Sequence, residues 1–189
     1  MEEGELPIFK GVYRQKSITV NDAVANLNVS VDGGVATSDN VTIDLGLNLE
    51  NVTLQGLTID GESHSGWSFD GTKLYIYELS AALYGNKTVE LAVRSAATEY
   101  TITINALFVT KLIATEADLQ SISAIETALG GEGYYMLAAD ITMSARGWYW
   151  PYGDAAVNYI IGLGHTFIGT IDGNGHKISG LQLNTLDFA

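Results

Sequence analysis

Val41-Thr-Ile-Asp-Leu-Gly-Leu-Asn-Leu49 alternates apolar and polar residues without a break. Successive side chains of a strand point to opposite faces, so this period of two predicts a strand buried on one face. Working outward, Leu54, Leu57 and Ile59 continue the apolar series. Lys73-Leu-Tyr-Ile-Tyr77, Thr88-Val-Glu-Leu-Ala-Val93 and Glu99-Tyr-Thr-Ile-Thr-Ile104 read as three more short strands. Turn signals fall at Asp32-Gly-Gly34, Asp70-Gly71 and Gly85-Asn86. Glu78-Leu-Ser-Ala-Ala-Leu-Tyr84 breaks the pattern, as one helical turn or two linking strands. Residues 12–110 therefore predict an all-β sandwich of about 100 residues.

The pattern changes near residue 112. Thr115-Glu-Ala-Asp118 is a capping box, and Leu119, Ile122, Ile125 and Leu129 follow at helical spacing. Gly130-Gly131 ends the predicted helix, 116–129. Tyr134-Tyr-Met-Leu-Ala138, Thr166-Phe-Ile-Gly-Thr-Ile171 and Lys177-Ile-Ser-Gly-Leu-Gln-Leu183 then read as strands. A boundary at 110/111 separates a module of residues 1–110 from one of residues 111–189. Charge does not mark it: seven basic residues face fourteen acidic ones in 1–111, and two face eight in 112–189.

The chain has 189 residues, one large domain or two small ones at roughly 150 residues each. Nine Lys and Arg against 22 Asp and Glu give a net charge of −13. That charge repels phosphate backbones and anionic lipid, so no nucleic-acid partner is expected. Cysteine is absent, which excludes disulfides, thiolate catalysis and Cys-based zinc sites. His64, His165 and His176 are not paired at ligand spacing, and no metal or cofactor is expected. The acidic opening Met-Glu-Glu-Gly-Glu-Leu-Pro lacks a signal-peptide pattern, and no apolar run is long enough for a membrane span. Few lysines, no Cys and strands rich in Thr, Asn and Gly nevertheless fit an exported bacterial protein, extracellular or at the cell surface.

Two resemblances sharpen this. Leu54-Gln-Gly-Leu-Thr-Ile-Asp-Gly61, Phe69-Asp-Gly-Thr-Lys-Leu-Tyr-Ile76 and Leu79-Ser-Ala-Ala-Leu-Tyr-Gly-Asn-Lys-Thr-Val-Glu-Leu91 are similar to the Ig-like linker modules of cellulosomal and cell-wall proteins. That resemblance covers roughly residues 12–105 and implies a spacer with carbohydrate or cell-wall contact. Asp118-Leu119, Tyr134-Tyr-Met-Leu-Ala-Ala-Asp-Ile141, Trp148-Tyr-Trp-Pro-Tyr-Gly153 and Phe167-Ile-Gly-Thr-Ile-Asp-Gly-Asn-Gly-His-Lys-Ile178 follow one another in order. This series resembles the opening of bacterial surface proteins built on a right-handed β-helix, the family carrying GLUG repeats. Asp154 to Thr166 departs from the family pattern as an insertion, and the family continues with further rungs past the point that Ala189 reaches. The resemblances together imply an Ig-like β-sandwich followed by the helix-capped first rungs of a right-handed parallel β-helix.

Candidate residues follow. Trp148, Tyr149, Trp150 and Tyr152 form the one cluster suited to a sugar, because pyranose faces pack on flat rings. On an extended segment Trp148 and Trp150 share a face. Their place in the family pattern equally implies cover for the β-helix end. Trp67 reads as a platform or as a plug at the sandwich edge. Asp172-Gly-Asn-Gly-His176 invites a calcium reading, but two glycines free to take positive φ make it a strand–strand turn. No acid/base pair of a glycoside hydrolase can be assigned, and no carboxylate partner for His176 is apparent. The sequons at Asn28, Asn40, Asn51 and Asn86 carry meaning only in a eukaryotic secretory path.

These readings predict a non-catalytic module of an exported bacterial cell-surface protein, acting in adhesion or contact with cell-wall or host glycans, or as a purely structural spacer. The rival is the N-terminal portion of a β-helical polysaccharide lyase or glycoside hydrolase with its active site beyond residue 189. The strand from Lys177 to Leu183 is expected to be a bare edge able to pair with a second copy. Residues 1–110 are expected to fold alone and 112–189 to need a neighbour.

Overall fold

A computed structural model describes residues 13–144, 148–149, 167–180 and 183–184, the two short pairs by backbone alone. Strands dominate, and one α-helix occurs among the described residues. The first strands are β1 (Arg14–Asn26), β2 (Ser30–Asp32), β3 (Val35–Thr37), β4 (Val41–Asp44) and β5 (Val52–Ile59). Next come β6 (Glu62–Ser63), β7 (Trp67–Phe69), β8 (Lys73–Ile76), β9 (Gly85–Ser95) and β10 (Thr98–Val109). One sheet has the order β1-β10-β9-β5-β6, a second the order β4-β8-β7, and β2 and β3 form a hairpin. All the pairs in these sheets are antiparallel except β1 with β10, which run parallel.

The alternation read from the sequence sets the core. Leu91 and Val93 of β9, Ile102 and Ile104 of β10, and Leu74 and Ile76 of β8 are all fully buried. They belong to one hydrophobic cluster fed by the inner faces of both sheets. Along 41–49 the ladder stops at Asp44, whose Oδ1 accepts the Gly46 N–H at 2.9 Å where Gly46 takes φ +62. Leu45, Leu47 and Leu49 still pack inward, and the segment bonds to the 71–72 turn through Leu45 N–H to Thr72 O and Leu49 N–H to Gly71 O. The alternation therefore marks burial over the whole stretch and strand pairing over its first half.

Beyond β10 come β11 (Lys111–Ile113), α1 (Glu116–Ala128), β12 (Tyr134–Leu137), β13 (Ile141–Thr142) and β14 (Trp148–Tyr149). They are followed by β15 (Thr170–Asp172), β16 (Ile178–Ser179) and β17 (Leu183–Asn184). The capping box forms as expected: Thr115 Oγ1 accepts from Asp118 N–H at 3.1 Å, and Asp118 Oδ2 accepts from Thr115 N–H at 3.0 Å. Gly130 and Gly131 both take positive φ, and the Gly131 N–H returns to Glu126 O at 2.7 Å. β12, β13 and β14 pair in parallel with β15, β16 and β17 respectively, and β11 lies parallel to the other side of β12. Glu78 to Tyr84 is a turn, closed by Leu83 N–H to Ser80 O at 3.0 Å.

The two segments on either side of residue 110 share that hydrophobic cluster, which also takes in Ile113, Leu119, Ile122, Ile125, Tyr135 and Leu137. Helix α1 contacts the β2–β3 hairpin. Thr110, fully buried, gives its N–H to Tyr134 O and accepts the Tyr134 N–H on Oγ1. On the other side its carbonyl takes the Val29 N–H at 2.9 Å. The Tyr84 hydroxyl donates a short hydrogen bond to Glu132; burial first, then this bond, pushes the phenol up to about 12.

Candidate functional site

The five-stranded sheet is deformed at one point of β1. Its register with β10 slips between Val20 and Ala23, so Asn21 and Asp22 form a bulge with Asp22 at φ +57. A short polar side chain tolerates that left-handed conformation better than an apolar one. Opposite the bulge, Asn105 Nδ2 donates to Asn21 Oδ1 at 2.8 Å. β10 aligns Asn105 with Thr88 and Leu107 with Asn86 on β9. Together with Lys87 these groups line an open cleft of about 650 Å³, whose apolar side includes Val24 and Leu107.

Ion pairing mutes the cleft's charge. Lys87 Nζ lies 3.0 Å from Asp60 Oδ2. The Thr88 N–H, donating to Asp60 Oδ1 at 2.9 Å, and then Lys87 hold the Asp60 carboxyl below its ordinary value. What remains facing solvent is a set of amides, a hydroxyl and the Asp22 carboxylate. Such groups donate and accept hydrogen bonds in the manner of a polyol's own hydroxyls. At the far end of the same face, Glu99 accepts from Gln15 at 2.7 Å and from Arg94 at 2.6 Å, while Tyr13 stacks 3.8 Å from the Arg94 guanidinium.

The residues named from sequence are scattered. Trp67 opens β7 opposite Ile76, half-buried and packed against the core cluster. Trp148 and Tyr149 pair along the backbone with Leu183 and Asn184, while Trp150 and Tyr152 lie outside the described residues. The sequon asparagines Asn28, Asn40, Asn51 and Asn86 are all exposed. The cleft was missed because its two halves, Asn21 and Asn105, are 84 residues apart and meet through a parallel pairing with no local signature. The local hint is Asn21-Asp22, two polar residues in a row that end the short alternation Ser17-Ile-Thr-Val20.

Asp172 to His176 turns through Asn174 at φ +45 and Gly175 at φ +76, closed by His176 N–H to Gly173 O at 2.7 Å. Asp172 Oδ1 accepts from Asn174 N–H at 2.8 Å, and Oδ2 accepts from the Tyr134 hydroxyl at 3.1 Å. Asn174 Nδ2 donates to Leu137 O at 3.2 Å. One Asp172 oxygen is thus engaged within the turn and the other with β12, and the Asn174 amide nitrogen ties the turn to β12 as well. The sequence named no acid beside His176, but the structure supplies one: Asp140 Oδ1 lies 3.3 Å from Nδ1. The Lys177 N–H, then His176, hold the Asp140 carboxyl below its ordinary value, so it is an acceptor rather than a proton donor at neutral pH.

No family model and no curated protein matches the chain. Among solved structures it is similar to an NMR structure of a protein from Bacteroides thetaiotaomicron. The two share 9% identity at a TM-score of 0.25, over 54% of this chain and 96% of that one. A likeness at that level identifies neither fold nor function.

Proposed function

We propose that the chain is a non-catalytic, glycan-contacting module of an exported bacterial cell-surface protein. One observation carries this: the open cleft at the β1 bulge presents amides and a hydroxyl to solvent while its lysine is neutralised by Asp60. The architecture we propose is an Ig-like sandwich leading into the first rungs of a right-handed β-helix. The two sheets sharing one core support the first part, and the three parallel ladders in chain order support the second. The aromatic residues Trp148, Tyr149, Trp150 and Tyr152, with Trp67, are proposed as a second contact. The same ladders favour the rival reading, the start of a β-helical lyase or hydrolase.

A glycan array probed with the wild-type chain, N21A/N105A and W148A/W150A tests the reading. Binding by wild type that either pair of substitutions abolishes supports it. An array with no bound glycan overturns it. Release of reducing sugar or unsaturated product by purified protein, abolished by one Asp or Glu substitution, moves the conclusion to the enzyme.

A further inference from the structure

We infer that the solvent face of the β1–β10 pair binds an uncharged polysaccharide laid along the strands. The inference rests on the glycan-contact reading and specifies its ligand class. β1 and β10 are parallel and in register, with Ser17 beside Thr101 and Thr19 beside Thr103. The residues between them, Ile18, Ile102 and Ile104, face the core. The four hydroxyl side chains therefore stand on the opposite face, and the Asn21–Asn105 amide pair continues the two columns to the cleft. Ser17, Thr19, Thr101, Asn21 and Asn105 are exposed and Thr103 half-exposed. The four hydroxyls make no hydrogen bond to any other described residue.

Strand geometry sets the spacing of this array. Equivalent groups recur about 6.7 Å apart along each strand and about 4.8 Å apart across the pair. Because the strands run parallel, both columns repeat in the same direction, as the residues of a linear polymer do. The array's own hydroxyls and amides are uncharged, Glu90 beside Thr103 and Asp22 in the cleft add negative charge to the same face, and Arg94 with Glu99 and Lys87 with Asp60 are paired at its two ends. The net charge of −13 repels a polyanion approaching this face, whereas a neutral polyol meets no such field. Each hydroxyl contributes little on its own, so retention depends on many sugar units engaging at once.

The test is affinity electrophoresis of the full chain through gels holding β-glucan, xylan or galactomannan, with polygalacturonate as the anionic comparison. The variant is T101V/T103V, which keeps shape and strand preference while removing two hydroxyls. Its thermal melt is checked against wild type. At least one neutral polymer is expected to retard wild type equally at low and high salt, and T101V/T103V is expected to lose at least tenfold in affinity. Polygalacturonate is expected to leave mobility unchanged. Retardation retained in a folded T101V/T103V overturns this inference alone, and its loss in W148A/W150A would then place the contact on the aromatic segment. Retardation by polygalacturonate only also overturns it. A wild type that no polymer retards removes the glycan reading together with it.

Discussion

Gly71 takes φ +100, and a Cβ there would stand 2.0 Å from the carbonyl oxygen of Leu49. Gly61 takes φ +85 with nothing within 4 Å of the same position. Substitution by alanine therefore separates two effects. G61A is expected to cost about 1 kcal/mol through backbone strain alone. G71A adds a backbone collision and is expected to cost more than about 3 kcal/mol; urea titration of both variants measures the difference, and equal midpoints would contradict it. The Asp70-Gly71 turn was legible in the sequence, but the Leu49 backbone that closes over Gly71 was not. Asp60 shows a similar division: its place beside Gly61 is local, while its bonds to Thr88 and Lys87 depend on β9. Those bonds depress its folded-state pKa, so its stabilisation is fully present above the unfolded value, near 3.9, and is lost as pH falls through the lower folded value. Urea midpoints measured from pH 6 to pH 2.5 should fall below about pH 4, and less steeply in D60N. An identical slope in D60N would show that Asp60 is not part of the acid response.

Helix α1 was legible because its signals are local: a capping box, apolar positions at helical spacing and a glycine stop. T115A removes the hydroxyl that accepts the Asp118 N–H and is expected to cost about 1 kcal/mol by urea titration, with no change in the remaining structure. A loss under about 0.3 kcal/mol would show that Asp118 caps the helix without it. The segment from Glu78 to Tyr84 has fewer signals than a helix needs to nucleate, and Glu78 at φ +56 directs the chain into a turn. β1 illustrates the opposite limit. It fell within the stretch read only as generally β, and its pairing with a strand about 84 positions later carries no sequence mark. The cleft inherits that blindness, since it exists only where the β1 bulge meets β10. In the C-terminal segment, β15 has β12 as its partner strand among the described residues, and Ile168, Ile171 and Ile178 are exposed. Such an edge pairs readily with another copy. Sedimentation should show concentration-dependent association that I168K/I178K weakens; a wild type monomeric at every concentration would contradict the open edge.

Taken together, the elements form a continuous core across residue 110, and Thr110 bonds to both of its sides. The composition predicted β structure, and the change of pattern near 112 precedes α1 and the short parallel ladders that follow it. Neither revealed that α1 rests against the β2–β3 hairpin, because that contact joins segments about 90 residues apart. A chain so joined should melt in one transition, and T110V should lower it while keeping it single. Two resolved transitions in calorimetry would instead separate the segments. The functional account depends on the sheet face. It is tested most directly by amide NMR of the labelled full chain titrated with a neutral oligosaccharide cut from whichever polymer retards it. The predicted shifts cluster at Ser17, Thr19, Asn21, Asp22, Thr88, Thr101, Thr103 and Asn105. Shifts confined to residues outside β1, β9 and β10, or none at saturating ligand, would contradict it.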